Sequence, residues 1–118
     1  QELKSLGIRI GVVSNKMDEA TKEACRHYFN GYIDVAIGDS LLRKRKPAPD
    51  NVYEAMRQLG SEKRATIFVG DSNVDVQTAK NAGLTCVGVT WGYRSRDVLV
   101  REGADFIIDE PGELLSLL

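Results

Sequence analysis

Thr66-Ile67-Phe68-Val69-Gly70-Asp71-Ser72-Asn73-Val74-Asp75 is the stretch that decides the fold. A short apolar run ends in a glycine, and two aspartates follow. The pattern predicts a buried strand that delivers carboxylates to the end of a parallel sheet, where open α/β sheets bind their ligands. Gly70 permits a sharp exit from the strand. Asp75 lies one helical turn beyond Asp71 if a helix starts near Asn73. Asp71 is a hard oxygen donor of the kind Mg²⁺ takes, together with a second carboxylate, waters and phosphate oxygens. The same residues also make a plain turn and helix cap, with Asp75 simply favouring the positive end of a helix.

Working outward, strand and helix patterns alternate along the chain. Leu3 and Leu6 are spaced as the end of a helix, with Gly7 just beyond it. The chain opens on Gln1 inside that element, as expected of a piece of a longer protein. Ile8 to Val13 predicts a strand ending at Ser14-Asn15-Lys16. A helix follows from Asp18, with Ala20, Ala24 and Tyr28 at four-residue spacing, fading by Asn30-Gly31. Ile33 to Ile37 predicts a second strand, and Gly38 to Arg45 a polar loop. Pro49 suits the first turn of a helix whose apolar face is Val52, Ala55, Met56 and Leu59, closed by Gly60. Thr66 to Val69 is the third strand. Val74, Thr78 and Ala82 mark a helix ending at Gly83. Thr85 to Thr90 is the fourth strand, followed by a loop with Trp91, Gly92, Tyr93 and Arg94. Ser95 or Asp97 caps a helix closed by Gly103. Phe106 to Ile108 is a fifth strand, and Pro111 to Leu118 a final helix that packs its leucines. Such alternation calls for right-handed crossovers and a three-layer, mostly parallel α/β sheet.

Bulk properties narrow the function. The chain has 118 residues, with 16 basic and 17 acidic side chains and a net charge of −1. This balance gives no overall attraction to nucleic acid or to an anionic membrane. The basic run Arg43-Lys44-Arg45-Lys46 reads as a solvated loop. No apolar run reaches the roughly 18 to 20 residues that span a bilayer. Cys25 and Cys86 read as buried, reduced thiols, as in a cytoplasmic protein. His27 has no second histidine or cysteine at ligand spacing. Trp91 and Tyr93 serve packing or substrate contact equally well.

Three polar clusters fall at or beside the carboxyl ends of the strands. Ser14 and Asn15 follow the first strand and offer a hydroxyl and backbone N–H groups for an oxyanion or phosphate. Lys46 follows the second strand and is a compact cation that neutralises phosphate oxygens. Asp71, Ser72 and Asp75 follow the third. Singly, Ser14-Asn15 is also an ordinary helix cap and Lys46-Pro47 an ordinary surface turn. Their order and strand context together are far more specific.

In that order the clusters resemble the motifs of the haloacid dehalogenase superfamily of phosphotransferases. Ser14-Asn15 is similar to its second motif, Lys46-Pro47 to its third, and Gly70 to Asp75 to its fourth. Gly83 to Val89 with Trp91-Gly92-Tyr93, and Gly103 to Asp109, are similar to the phosphoglycolate phosphatase branch. The resemblance covers the whole chain and implies a Rossmann-like core. It implies Mg²⁺ held by Asp71 and Asp75, and phosphate held by Ser14, Asn15 and Lys46. Ser14 and Lys46 then assist catalysis. The substrate implied is a small phosphomonoester, hydrolysed through an aspartyl-phosphate.

The family's first motif, Asp-x-Asp, supplies the nucleophile and the acid/base carboxylate, and neither aspartate precedes Ser14 here. The cap domain inserted after that motif is also expected to lie outside residues 1–118, which then form a partial core. The strand bearing the first motif belongs between those ending at Val13 and Val69. Losing three or four large buried side chains with it removes about 5 to 12 kcal/mol. The chain is therefore expected to need an occupant for that slot: its own amino-terminal segment or a strand swapped from a second copy. The remaining possibility is a rearranged sheet. Alone it is expected to be inactive. Other expectations of the same residues are a sugar-phosphate phosphatase, a pyrophosphatase, a phosphomutase, or a non-catalytic phosphate- and Mg²⁺-binding domain.

Overall fold

The computed structural model describes residues 2–29, 31–92 and 95–118. Two compact units form, Gln1–Glu62 and Lys63–Leu118. The first runs α1 (Glu2–Ser5), β1 (Gly11–Met17), α2 (Asp18–Phe29), β2 (Val35–Asp39) and α3 (Asp50–Leu59). The second runs through a 3-10 turn (Lys63–Ala65), β3 (Ile67–Gly70), α4 (Asn73–Ala82), β4 (Thr85–Val89), α5 (Arg96–Glu102), β5 (Phe106–Ile108) and a closing 3-10 helix (Pro111–Leu117). Every ladder joining these strands is parallel: β1 with β2, β3 with β4, and β4 with β5. The expected parallel α/β architecture is present, with the described strands in sheets of two and three.

The period-two alternation of a strand is visible in β4. Cys86 faces Val76 and Ala79 from the preceding helix α4 and Leu99 from the following helix α5, with Phe68, Ala104 and Ile107 around them. Val87 and Val89 face the other way, toward Ile108, Ile67 and Leu114. Two residues beyond Cys86 along the same strand, Gly88 leaves room for Leu99, whose Cδ1 lies 3.1 Å from where a Cβ would stand. Burial, with Asp105 nearby, pushes the Cys86 thiol up to about 11, which makes it a packing group rather than a nucleophile. In the first unit Val35, Ile37 and Ala55 form the core, joined by Val13 and Leu59. The predicted ends of α3, α4 and α5 are found at Gly60, Gly83 and Gly103, each left-handed.

Several boundaries differ from expectation. β1 begins at Gly11 and continues through Ser14, Asn15 and Lys16 to Met17. Its register shifts between Val13, which pairs Ile37, and Met17, which pairs Asp39. The polar residues expected after the strand are thus a bulged part of it. The Ala20-Ala24-Tyr28 stripe of α2 is not the buried face: Tyr28 is 73% exposed. Thr21 and Cys25, one position on, are buried instead. Thr21 is tolerated there because its hydroxyl donates to Met17 O at 3.1 Å. Pro49 is the N-cap of α3 rather than its first residue. The terminal segment is a 3-10 helix fixed by reciprocal Glu110–Glu113 capping, and Leu114 among its leucines packs on a core cluster. Tyr93 and Arg94 lie outside the described residues.

Candidate functional site

The first unit brings together two of the three polar clusters. Asn15 Oδ1 accepts from Lys46 N at 3.1 Å, and Asn15 O accepts from Arg45 Nη2 at 3.2 Å. A side chain on the bulge of β1 therefore anchors the backbone of the loop that carries Lys46. Ser14, next to Asn15, and Lys46 are both half-buried. The Lys46–Pro47 peptide is cis.

The basic run is exposed at Lys44 and Arg45, as a solvated loop would be, but it is anchored rather than loose. Arg43 Nε donates to Asn51 Oδ1 at 2.6 Å, and Asn51 is fully buried in α3. Lys44 N donates to Asp50 Oδ2 at 3.2 Å, and Arg45 comes within 4.0 Å of Asp39. Successive residues from Arg43 to Lys46 are each tied to a neighbour. The signal that could have revealed this is the clustering of Asp39, Asp50 and Asn51 around four consecutive cations.

Ser14 and Asn15 do not sit at a helix start, as the sequence predicts. α2 starts at Asp18, and its first turn carries Asp18 and Glu19. Its positive end is therefore matched by its own carboxylates. Asp18 Oδ1 accepts from Gly38 N at 2.9 Å and from Lys22 Nζ at 2.7 Å. These two bonds hold its carboxyl below the usual carboxylate range, Gly38 contributing most. Asp18 thereby braces the ends of β1 and β2 beside the bulge.

Replacing Asn15 by Ala removes the acceptor for Lys46 N. One hydrogen bond of this kind contributes about 1 kcal/mol net, so amide exchange at Lys46 is expected to quicken about fivefold. Mass-spectrometric or NMR hydrogen exchange measures it, and an unchanged rate would show that the loop is held without Asn15.

The second unit carries Asp71, Ser72 and Asp75 across the turn from β3 to α4. Ser72 is the N-cap of α4. Its Oγ accepts from Asp75 N at 3.4 Å and donates to Asp75 Oδ2 at 3.2 Å. Asp71 N also donates to Asp75 Oδ2, at 3.0 Å. This exchange resembles a capping box. Asp75 is 8% exposed, and only a glycine at position 70 leaves it space: a Cβ there would lie 2.7 Å from Asp75 Oδ2. The sequence treats Asp71 and Asp75 as equivalent carboxylates. In the structure Asp75 braces the turn, whereas Asp71 joins it through its backbone N–H and directs a half-buried side chain toward Gly92. The sequence places Gly92 in the loop after the fourth strand but gives no sign that it lies against Asp71.

Among the described residues no group of three or more His, Cys, Asp or Glu is arranged to hold a metal ion. A magnesium site does not need three. Mg²⁺ binds through one or two carboxylates and completes its shell with water and phosphate oxygens. Asp71 and Asp75, hard donors joined at one turn, fit that demand. Trp91 is 51% exposed. His27 is exposed and stacks edge-on against Tyr28 at 4.6 Å.

Residues 1–89 match the haloacid dehalogenase-like hydrolase family. A phosphoglycolate phosphatase of Aquifex aeolicus is 31% identical over 119 aligned residues, covering 100% of this chain and 54% of the relative. The pyrophosphatase PpaX of Bacillus mycoides is 29% identical, covering 100% of this chain and 55% of its own. A crystal structure from Lactobacillus delbrueckii subsp. bulgaricus, of a protein proposed to be a phosphoglycolate phosphatase, superposes with a TM-score of 0.95 at 36% identity. It covers 98% of this chain and 48% of that one. The chain spans about half the length of the curated relatives it matches.

Proposed function

Because the chain belongs to the haloacid dehalogenase-like hydrolase family, we propose that residues 1–118 are the carboxyl-terminal part of the core of a Mg²⁺-dependent phosphatase, with phosphoglycolate as the substrate. The observation that carries this is the bond from Lys46 N to Asn15 Oδ1. It ties the lysine loop to the serine-bearing bulge, which supports reading the Ser14 hydroxyl and the Lys46 cation as one phosphate-binding half-site. Ser14, the Asn15 backbone and Lys46 hold the transferring phosphoryl oxygens and offset the charge that builds on them. Asp71, with Asp75 behind it, holds Mg²⁺, which offsets repulsion between the attacking carboxylate and the phosphate.

The nucleophile and the acid/base carboxylate come from an Asp-x-Asp strand elsewhere in the full-length gene product. Attack by the first carboxylate forms an aspartyl-phosphate. The second protonates the leaving alcohol and then activates water. Two features support a place for that strand. Among the described residues β1 is laddered only to β2, and β3 only to β4. The cap lies outside this stretch as well.

A second possibility, inorganic pyrophosphate as substrate, is favoured by the similarity to PpaX. The test is a substrate panel on the full-length gene product: phosphoglycolate, pyrophosphate and sugar phosphates, each with Mg²⁺ and after chelation. The expected result is hydrolysis of phosphoglycolate that chelation abolishes and Mg²⁺ restores. Preference for pyrophosphate would select the second possibility. No turnover of any ester, with Mg²⁺ binding retained, would identify a non-catalytic binding domain instead.

A further inference from the structure

Gly92 stands against Asp71 more closely than any side chain would allow. A Cβ at position 92 would fall on Asp71 Oδ2 and Cβ and lie 2.6 Å from Cγ. Contacts under 3.0 Å are essentially never made by real Cβ atoms. The restriction is one of space and not of backbone shape, since Gly92 is not in the left-handed region.

The surroundings decide which group would give way. The backbone of Asp71 is held through its N–H to Asp75 Oδ2. The preceding Gly70 is laddered to Gly88 of β4. The loop bearing Gly92 is fixed two residues earlier: Thr90 N donates to Ile108 O at 3.1 Å, and Thr90 Oγ1 donates to Asp109 Oδ1 at 2.7 Å. Asp109 is held in turn by Arg96 Nη2 at 2.7 Å. Turning the Asp71 side chain would clear Oδ2 and Cγ but not Cβ, which the backbone carries, so a side chain at position 92 displaces Asp71 as a whole against the bonds that hold its turn.

We propose that Gly92 is a positioning residue for Asp71: its lack of a side chain lets the chain lie directly against Asp71 and so sets where the carboxylate stands. This rests on the assignment of Asp71 as a metal ligand. Partners that orient a ligand without touching the metal typically change metal affinity about 10- to 100-fold when altered. An added methyl at position 92 shifts Asp71, Cβ and carboxylate together, and weakens divalent cation binding, while the phosphate half-site around Ser14 and Lys46 is unaffected.

The experiment uses the full-length gene product and Mn²⁺ as the probe, with free Mn²⁺ read by electron paramagnetic resonance. Gly92→Ala is expected to raise the Mn²⁺ dissociation constant about 10- to 100-fold. The variant is expected to remain folded without metal, by circular dichroism, with KM for the phosphoester unchanged at saturating metal. Gly112→Ala is the control, because nothing lies within 4 Å of a Cβ there, and it should bind Mn²⁺ like wild type. Wild-type Mn²⁺ affinity in Gly92→Ala, beside a loss in Asp71→Asn, would overturn the role of Gly92 and leave Asp71 as the ligand. Unaltered Mn²⁺ binding in Asp71→Asn would overturn the ligand assignment itself. A Gly92→Ala protein that fails to fold also counts against the proposal, because the displaced group would then be structural.

Discussion

Replacing Asp71 by Asn in the full-length gene product is expected to lower kcat/KM by about a thousandfold. A metal ion contributes several kcal/mol of charge stabilisation to phosphoryl transfer, and about 4 kcal/mol corresponds to three powers of ten. The change removes one negative charge and keeps the shape. It also keeps the Asp71 N–H that Asp75 Oδ2 accepts, so the fold should be retained. Added Mg²⁺ should not restore turnover. Asp75→Ala is expected to behave differently. Asp75 is nearly buried and its Oδ2 accepts from both Asp71 N and Ser72 Oγ. Its loss leaves those donors unmatched and destabilises the unit by about 1 to 3 kcal/mol as well as lowering activity. Steady-state kinetics beside urea denaturation separates the two residues. A Asp71→Asn protein with near wild-type kcat/KM would remove Asp71 from the chemistry.

Leu99→Ala has the largest expected effect on stability. Leu99 is fully buried within the cluster of Val76, Ala79 and Cys86, and Gly88 is the strand residue that makes room for it. Truncating a buried leucine costs about 3 to 5 kcal/mol, through lost transfer energy and the cavity left behind. A domain's whole stability is only about 5 to 15 kcal/mol, so the Lys63–Leu118 unit should become marginal. The adjacent Val100 is 57% exposed, and Val100→Ala is expected to change stability by no more than about 0.5 kcal/mol. Urea unfolding of both variants in the full-length gene product checks the pair. Equal midpoints would show that the α5 face has been misassigned.

The contrast between those two neighbours shows what the sequence could convey. Strand identity was legible because short apolar runs such as Thr66 to Val69 end at a glycine. The ends of α3, α4 and α5 were legible because Gly60, Gly83 and Gly103 adopt a conformation that other residues rarely take. The face of α2 was not. Ala20, Ala24 and Tyr28 have the right spacing, but the choice between two adjacent stripes depends on what the helix packs against. A threonine can occupy the buried stripe by bonding the carbonyl of Met17, the residue just before the helix. The bulge in β1 was hidden for a similar reason: Ser14-Asn15 reads as a strand end until its pairing with β2 is known.

At the site, the residue types and their order could be read, but their division of labour could not. Asp71 and Asp75 are the same amino acid one turn apart, and only the hydrogen bonds to Asp75 Oδ2 distinguish the brace from its neighbour. Arg43 to Lys46 looked like a solvated run because a charge pattern does not reveal its partners. Asn15, Asp39, Asp50 and Asn51 supply them through tertiary contacts. Gly92 carried no signal of its own, since its importance lies in the side chain it lacks.

The central claim is that residues 1–118 hold the phosphate- and metal-binding part of a phosphatase and depend on a carboxylate nucleophile supplied from elsewhere. The most direct measurement is release of inorganic phosphate from phosphoglycolate with Mg²⁺, by the purified 118-residue chain and by the full-length gene product at equal concentrations. The account predicts turnover by the full-length protein and none above buffer by the chain alone. Turnover by the chain alone that disappears on Asp71→Asn would contradict it, because the nucleophile would then lie within these residues.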